Sequence, residues 1–481
     1  MSLLRQARKN IALKFATEAV IRLLALVFIV ILARRLGDQD YGKYSLVFYF
    51  AGLLTIFCDL GLNTLLVREV SRHRDLLSAY AGNILSLKGL LSLGVLLLTL
   101  GLLPALGYPW ETVLLIFLGV LSLIGNHLVE FLAALTNSLE KFEYELAIKS
   151  LNKGLVVLIG LLALWAGAGL WGLIIIMVLA QGLSLLLNGG IIWRRVTPLS
   201  LPMDLSFWKH LLRLTWPIGL SVLFVTAYVR LDIILLSLLR SGTAEIGWYS
   251  VPVKIIEAFS VFPYLIMSGL FPIFSLLGDR DQTLLKEAYQ KSLGYLVMIA
   301  IPLVLITFHL ADPWLVVVFG PLFQNSILSL EIIVWVVPFI FVHYALVHIL
   351  FSLNRERLII LGSALALIFN LGGNLLFLPR YGYLGASVLT VVTEALLVSF
   401  YLFHLQRSFL RLPLFKKTAS LALSGGVMAI TFWALKALPA VIYCLIALSC
   451  YAAALILFRL LAWEDWQLVK RLFSYPAGYS R

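Results

Sequence analysis

The sequence predicts an all-α polytopic membrane protein with about 14 transmembrane helices, and three observations carry that prediction. Hydrophobic residues make up 62% of the 481-residue chain and charged residues 13%, against roughly 25% charged in soluble domains. Mean hydropathy is +1.00. Apolar stretches of the ~20 residues needed to cross a bilayer as helix follow one another along nearly the whole chain, with only short polar connections between them. Such spacing leaves no room for a sizeable extramembrane domain.

Taken in order, the first span (12 to 34) follows MSLLRQARKN and has no small-residue cleavage site, so it reads as a retained helix. The second (44 to 67) is opened by GDQDYGKYSL, and spans at 79 to 104 and 112 to 137 follow. SLEKFE precedes a span at 145 to 167, and AGAGL leads into one at 170 to 193. A stretch with Pro198 and Pro202, VTPLSLPMDLSFW, then reads as a linker. Beyond it come 214 to 239, then 247 to 276 opened by GTAEIGWYSV, then 292 to 319 and 325 to 352. SLNRER precedes 357 to 378, and spans at 383 to 406, 418 to 438 and 440 to 461 complete the series.

The formal charge is +13, but without a soluble face it is not the footprint of a nucleic-acid binder. It sets topology instead. With the N-terminus inside, the inner connections hold most of the 37 basic residues, whereas the outer ones hold only Arg34, Arg35, Lys43, Arg240, Arg380 and Lys436. The positive-inside rule therefore places both termini in the cytoplasm. Cys58, Cys444 and Cys450 lack metal-type spacing and read as packing residues.

Residues 37 to 46, GDQDYGKYSL, resemble residues 242 to 251, GTAEIGWYSV, at a constant offset of ~205, and each opens a span. SLEKFE at 138 to 143 echoes SLNRER at 352 to 357, and GLWGL at 169 to 173 echoes GYLGA at 382 to 386. Six spans separate each pair, so the halves keep one orientation, as in parallel-repeat transporters. The expected organisation is an N-lobe at 1–195, a cytoplasmic linker at 196–213, a C-lobe at 214–407, and two further helices with a cytoplasmic tail at 408–481.

DLGLNTLLVREVSR at 59 to 72, YVRLDIILLSLLRSGTAEIGWYSVPVKIIEAF at 228 to 259 and NLLFLPRYGYLGASVLTVVTE at 374 to 394 resemble the polysaccharide transporter family, the O-antigen-type flippases. That family shares a superfamily with multidrug antiporters and lipid II flippases. The resemblance implies two six-helix lobes around a central cavity, with the last two helices outside them. It further implies movement of a polyprenyl-diphosphate-linked oligosaccharide across the cytoplasmic membrane by alternating access, in the company of membrane lipids and of polysaccharide polymerase and glycosyltransferases. No cofactor is expected, and the chain is not expected to be an enzyme.

Basic residues at span depth are the natural hosts for a diphosphate, because a charge near a helix centre costs at least ~2.5 kcal/mol on insertion scales and must face a cavity or a partner. Arg22, Lys88, Arg230 and Lys254 lie deep in the spans and are the expected substrate-binding residues. Glu18 lies near Arg22, Glu257 near Lys254 and Asp232 near Arg230, so structural pairing is the alternative for these three. No acid stands within about four positions of Lys88 on its own helix. Lys14, Lys149 and Lys153 sit near the cytoplasmic edge and are expected to snorkel.

A second constellation, Asp232, Asn370, Asn374, Thr393 and Glu394, offers oxygen ligands to a coupling cation or a carboxylate to a proton. Ordinary interhelical hydrogen bonding is its alternative. His127, His343 and His348 read as polar packing or cavity residues, and no metal site is expected. The absence of a GxxxxGK[ST] loop removes that route to nucleotide hydrolysis. The competing functions are a cation-coupled multidrug exporter and a membrane polysaccharide polymerase or glycosyltransferase.

Overall fold

Fifteen α-helices form among the residues described by this computed structural model, which are 2–195, 202–240, 242–408, 414–458 and 460, with the backbone alone at 2–23 and at some positions in 193–195, 272–280 and 408–418. The helices are α1 Ser2–Leu54, α2 Leu62–Arg72, α3 Leu77–Ala105, α4 Trp110–Ser138, α5 Phe142–Trp165, α6 Leu170–Arg195, α7 Leu205–Leu239 and α8 Thr243–Phe259. They continue as α9 Val261–Arg280, α10 Gln282–Phe319, α11 Ser326–Ile333, α12 Val337–Ser352, α13 Glu356–Ser408, α14 Leu414–Leu435 and α15 Ala440–Leu457. No strand occurs among the described residues. Among the described residues eleven helical segments are long and apolar enough to cross a membrane, and Ala419–Leu435 is a shorter apolar helix.

Two long helices each contain two expected spans. Gly37 (φ 74) divides α1 and Gly382 (φ 55) divides α13, because glycine enters the left-handed region without the penalty a Cβ brings. Once these are divided, every expected span falls mainly on helix among the described residues, the last of these helices ending at Leu457. Three spans expected to be continuous are broken, however. The 44 to 67 span stops at a tight 3-10 turn, Thr55–Cys58, and restarts at Leu62 after Leu60 (φ 46) and Gly61 (φ 84). The 247 to 276 span breaks at Ser260, between α8 and α9. A 3-10 turn at Val334–Val336 interrupts the 325 to 352 span. Hydropathy is blind to all three, since each broken backbone stays apolar and long enough to cross.

The repeated words share backbone geometry as well as letters. Glu140 (φ 60) and Asn354 (φ 54) occupy the same position of the SLEKFE and SLNRER words. Around both, the chain closes the preceding helix alike, with Glu140 N–H donating to Asn137 O and Lys141 N–H to Thr136 O, then Asn354 N–H to Phe351 O and Arg355 N–H to Leu350 O. This is the left-handed helix stop that satisfies terminal carbonyls.

The chain forms two compact units, residues 1–251 with 370–386, and residues 252–369 with 387–481. In the first, Leu62, Leu65, Leu66 and Val70 of α2 pack with Ile84, Phe131, Leu135 and Leu211 of α3, α4 and α7. Polar side chains tie α4, α5 and α6 together, since Asn152 donates to Asn126 Oδ1 (2.9 Å) while its own Oδ1 accepts from Gln181 (2.9 Å) and Ser184 (2.8 Å). The linker residues 196–201 lie outside the described residues. At the linker's far end Asp204 caps α7 by accepting from the N–H groups of Ser206 and Phe207, and these bonds, with that from the Ser206 hydroxyl, hold its carboxyl below the usual aspartate range. In the second unit α14 and α15 pack on α10 through Leu310, Met428, Phe432, Tyr443 and Ala447. The His309 ring stacks on Phe432 at 4.5 Å, and Tyr451 donates to Met298 O at 2.9 Å.

Candidate functional site

The broken end of α1 sets the first part of the site. Because the helix gives way to the 3-10 turn and to left-handed Leu60 and Gly61, Asp59 is released from the helical register and its carboxylate meets the Lys88 ammonium of α3 in a very short ion pair. The Lys88 side chain is 1% exposed and that of Asp59 24%. Lys88 thus has a partner that spacing along its own helix did not reveal. The Asp59-Leu60-Gly61 sequence was the available signal, as an Asp and a Gly two residues apart favour a turn.

Arg230 on α7 lies over the Tyr49 ring of α1, 5.5 Å from its centroid, and donates to Phe48 O at 3.3 Å. Glycine at position 52 makes this approach feasible, because a Cβ there would stand 2.5 Å from the guanidinium carbon. Among the described residues Arg230 makes no ion pair. Asp232, its neighbour in sequence, is engaged elsewhere, so the pairing alternative does not hold for Arg230. His127 on α4 lies within electrostatic range of Lys88, Asp59 and Arg230 together. The first unit therefore gathers two cations, one carboxylate and an imidazole from the turn after α1 and from α3, α4 and α7.

The remaining expected cations divide. Lys254 pairs with Glu257 three residues on, at 2.7 Å, within the second unit, and the structural alternative describes this contact. The Arg22 side chain lies outside the described residues, as does that of Lys14. Lys149 is paired with Glu145 (2.9 Å) and approaches Glu130 (3.8 Å).

Three members of the oxygen-rich constellation come together in the first unit. Asn374 donates to Asp232 Oδ1 (2.7 Å) and to Asn370 Oδ1 (2.9 Å), while Tyr249 donates to Asp232 Oδ2 (2.9 Å). All three residues are nearly fully buried. Asn374 Oδ1 and Asn370 Nδ2 have no hydrogen-bond partner among the described residues. Thr393 and Glu394 belong to the second unit, where the Thr393 hydroxyl bonds Leu389 O on its own helix and Glu394 meets His343 Nδ1 at 2.5 Å. The sequence reads His343 as a polar packing or cavity residue, and its pairing with Glu394 was not legible because that partner lies on another helix. No group of three or more His, Cys, Asp or Glu suited to a metal ion occurs among the described residues.

The fold defines a class, the polytopic α-helical membrane proteins, and it is a fold that a lipid flippase and a multidrug transporter share. The structure of lipid II flippase MurJ in an inward closed conformation superposes with a TM-score of 0.73 at 15% identity, over 93% of this chain and 99% of that one. An inward-facing multidrug resistance MATE family transporter gives 0.65 at 16% identity, over 81% and 98%. A putative O-antigen transporter of Shigella flexneri is 23% identical over 409 residues, 81% of this chain and 96% of the relative. Residues 7–277 match the family described as polysaccharide biosynthesis protein, and the chain belongs to that family.

Proposed function

We propose that this multi-pass membrane protein is a flippase that moves a polyprenyl-diphosphate-linked oligosaccharide from the cytoplasmic to the outer leaflet by alternating access, for cell-surface polysaccharide synthesis. The observation that carries the reading is Arg230, a guanidinium at span depth with no acidic partner among the described residues, gathered with Lys88. Guanidinium groups match phosphate oxygens with a planar fork, and an unbalanced charge in a bilayer marks a substrate path more often than a structural pair does. Residue chemistry and family membership agree on an anionic, lipid-linked cargo. The multidrug exporter shares the fold, as the MATE likeness demonstrates, but uncompensated cationic charge suits an anion better than a cationic drug. Against an enzyme stands the shortness of every extramembrane connection among the described residues.

Both termini are assigned to the cytoplasm of the inner membrane on the distribution of basic residues. Coupling has two chemically distinct seats, Asp232 with Asn370 and Asn374 for a hard cation, and Glu394 with His343 for a proton. The buried, unpartnered Asn374 oxygen supports the first. The 2.5 Å contact between a buried carboxylate and an imidazole supports the second.

The function is tested in cells by deletion. Lipid-linked sugar should accumulate in the cytoplasmic leaflet, and a chain carrying Arg230→Ala should fail to clear it at normal membrane abundance. Clearance by Arg230→Ala at the wild-type rate contradicts the assigned site.

A further inference from the structure

We propose that Asp59 is a place-holding anion, which neutralises Lys88 while the site is empty and gives it up to the diphosphate of the cargo. The inference rests on the diphosphate reading above and assigns a role to a residue that reading does not require. Three observations carry it.

The first is the asymmetry of the pair. Lys88 is 1% exposed and Asp59 24%, so an arriving anion meets the carboxylate side first while the ammonium stays anchored in α3. A lysine at this depth cannot stand unpaired without a large desolvation penalty. Some anion must therefore be present in the empty state, and Asp59 is the one the fold provides.

The second is where Asp59 sits. It is not on a regular helix but between the 3-10 turn Thr55–Cys58 and two left-handed residues, Leu60 (φ 46) and Gly61 (φ 84). An aspartate four or three residues away on α3 would have paired with Lys88 at no backbone expense. A carboxylate placed on a break is held by fewer neighbouring helical bonds, and its side chain can turn away without moving α3. Thr55, Ile56 and Cys58 of the turn are themselves buried, which keeps the turn docked while Asp59 exchanges.

The third is the charge balance. The cluster of Asp59, Lys88, Arg230 and His127 has two permanent cations and one carboxylate. With Asp59 on Lys88, only Arg230 is available to a diphosphate, which carries at least two negative charges. Release of Lys88 makes a two-cation clamp from α3 and α7, within electrostatic range of His127. When the cargo leaves, Asp59 returns to Lys88, so the more deeply buried of the two cations is paired in both states. A diphosphate held by both cations with no competing carboxylate would dissociate slowly, and Asp59 thereby favours turnover over affinity.

The test measures binding of farnesyl diphosphate to the full-length protein in detergent, with inorganic diphosphate and farnesol as separate arms that distinguish headgroup from chain. Asp59→Asn should tighten farnesyl diphosphate by roughly tenfold, equivalent to ~1.4 kcal/mol, while Asp59→Glu stays within about threefold of wild type. The neutral pair Asp59→Asn with Lys88→Gln removes both buried charges, and keeps the inference testable even if Asp59→Asn alone is poorly folded. If Lys88 is handed to the ligand, the neutral pair should bind about tenfold more weakly than wild type. Wild-type binding by the neutral pair overturns the proposal, because it means the ion pair is purely structural. Unchanged affinity in a folded Asp59→Asn protein overturns it equally. Failure of the diphosphate reading looks different, since farnesyl diphosphate would then bind no better than farnesol, and Arg230→Ala would change nothing.

Discussion

Arg230 and Gly52 form a lock and its keyhole, since the guanidinium occupies the space that any side chain at 52 would need. Gly52→Val should therefore displace Arg230 from Tyr49 and impair transport as Arg230→Ala does, with little loss of membrane abundance. Transport by Gly52→Val at the wild-type rate would show that the guanidinium position does not matter. Arg230→Lys separates charge from geometry, because it keeps the charge and loses the fork. The Lys88–Asp59 pair makes a complementary statement about stability. Removing one partner of a buried pair destabilises by about 3–5 kcal/mol, whereas removing both with apolar residues is often neutral. Lys88→Met should lower the thermal midpoint in detergent, and Asp59→Leu added to it should restore most of the loss. Additive losses in the double variant would mean the two side chains do not stabilise one another. Of these residues the sequence displayed Arg230 and Lys88 plainly, as cations inside apolar spans. It hid Asp59 and Gly52, because their roles depend on which helix faces which, and a single chain of letters does not state that.

The matched words that open the second and eighth spans meet one another at their glycines. A Cβ on Gly42 would overlap the Thr243 carbonyl oxygen, and one on Gly247 would overlap the Asp38 carbonyl oxygen. Positions 38 and 243 correspond in the two words, as do 42 and 247, so the contact is reciprocal in the way a twofold contact is. Trp248 adds a hydrogen bond to Asp38 at 3.0 Å. Nearby, Arg240 grips Glu245 (2.8 Å) and donates to Pro379 O (3.3 Å), while Glu245 lies so close to Gly382 that a Cβ there would stand 2.5 Å from its carboxylate. Cysteines at Asp38 and Trp248 should crosslink readily, and Gly42→Leu should abolish the crosslink by forcing the two helices apart. Undiminished crosslinking in Gly42→Leu would contradict this close approach. Sequence alone presented the words as a repeat. That the repeats touch each other at the same two glycines became visible only in three dimensions. Element breaks were less legible still, because the turn at Thr55–Cys58 and the break at Ser260 lie in stretches whose hydropathy is that of continuous helix.

At the scale of the molecule, the number and order of spans were legible because bilayer thickness imposes a length on every crossing segment, and hydropathy reports that length directly. The proposed orientation rests on the basic residues of the connections and is open to direct test. With Cys58, Cys444 and Cys450 replaced, a cysteine at Ala166 should react with an impermeant thiol reagent added outside, and one at Gln282 should not. Gln282 is preferable to its neighbour Asp281, whose carboxylate caps α10 by accepting from Thr283 and Leu284. Reversed labelling would invert the direction of transport assigned here. The two proposed coupling seats are separable in the same molecule. Glu394→Gln should stop proton-driven flux if the Glu394–His343 contact carries the proton, whereas Asp232→Asn should abolish dependence on sodium if the Asp232–Asn374 cluster carries a cation. The most direct test of the central claim is flux of a lipid-linked oligosaccharide in vesicles reconstituted with the purified protein, read by the appearance of its diphosphate-linked sugar in the opposite leaflet. The wild-type protein should move it far faster than protein-free vesicles do, and Arg230→Ala should not exceed that background. Equal rates with wild type and with no protein would contradict the assignment of this chain as a lipid-linked oligosaccharide flippase.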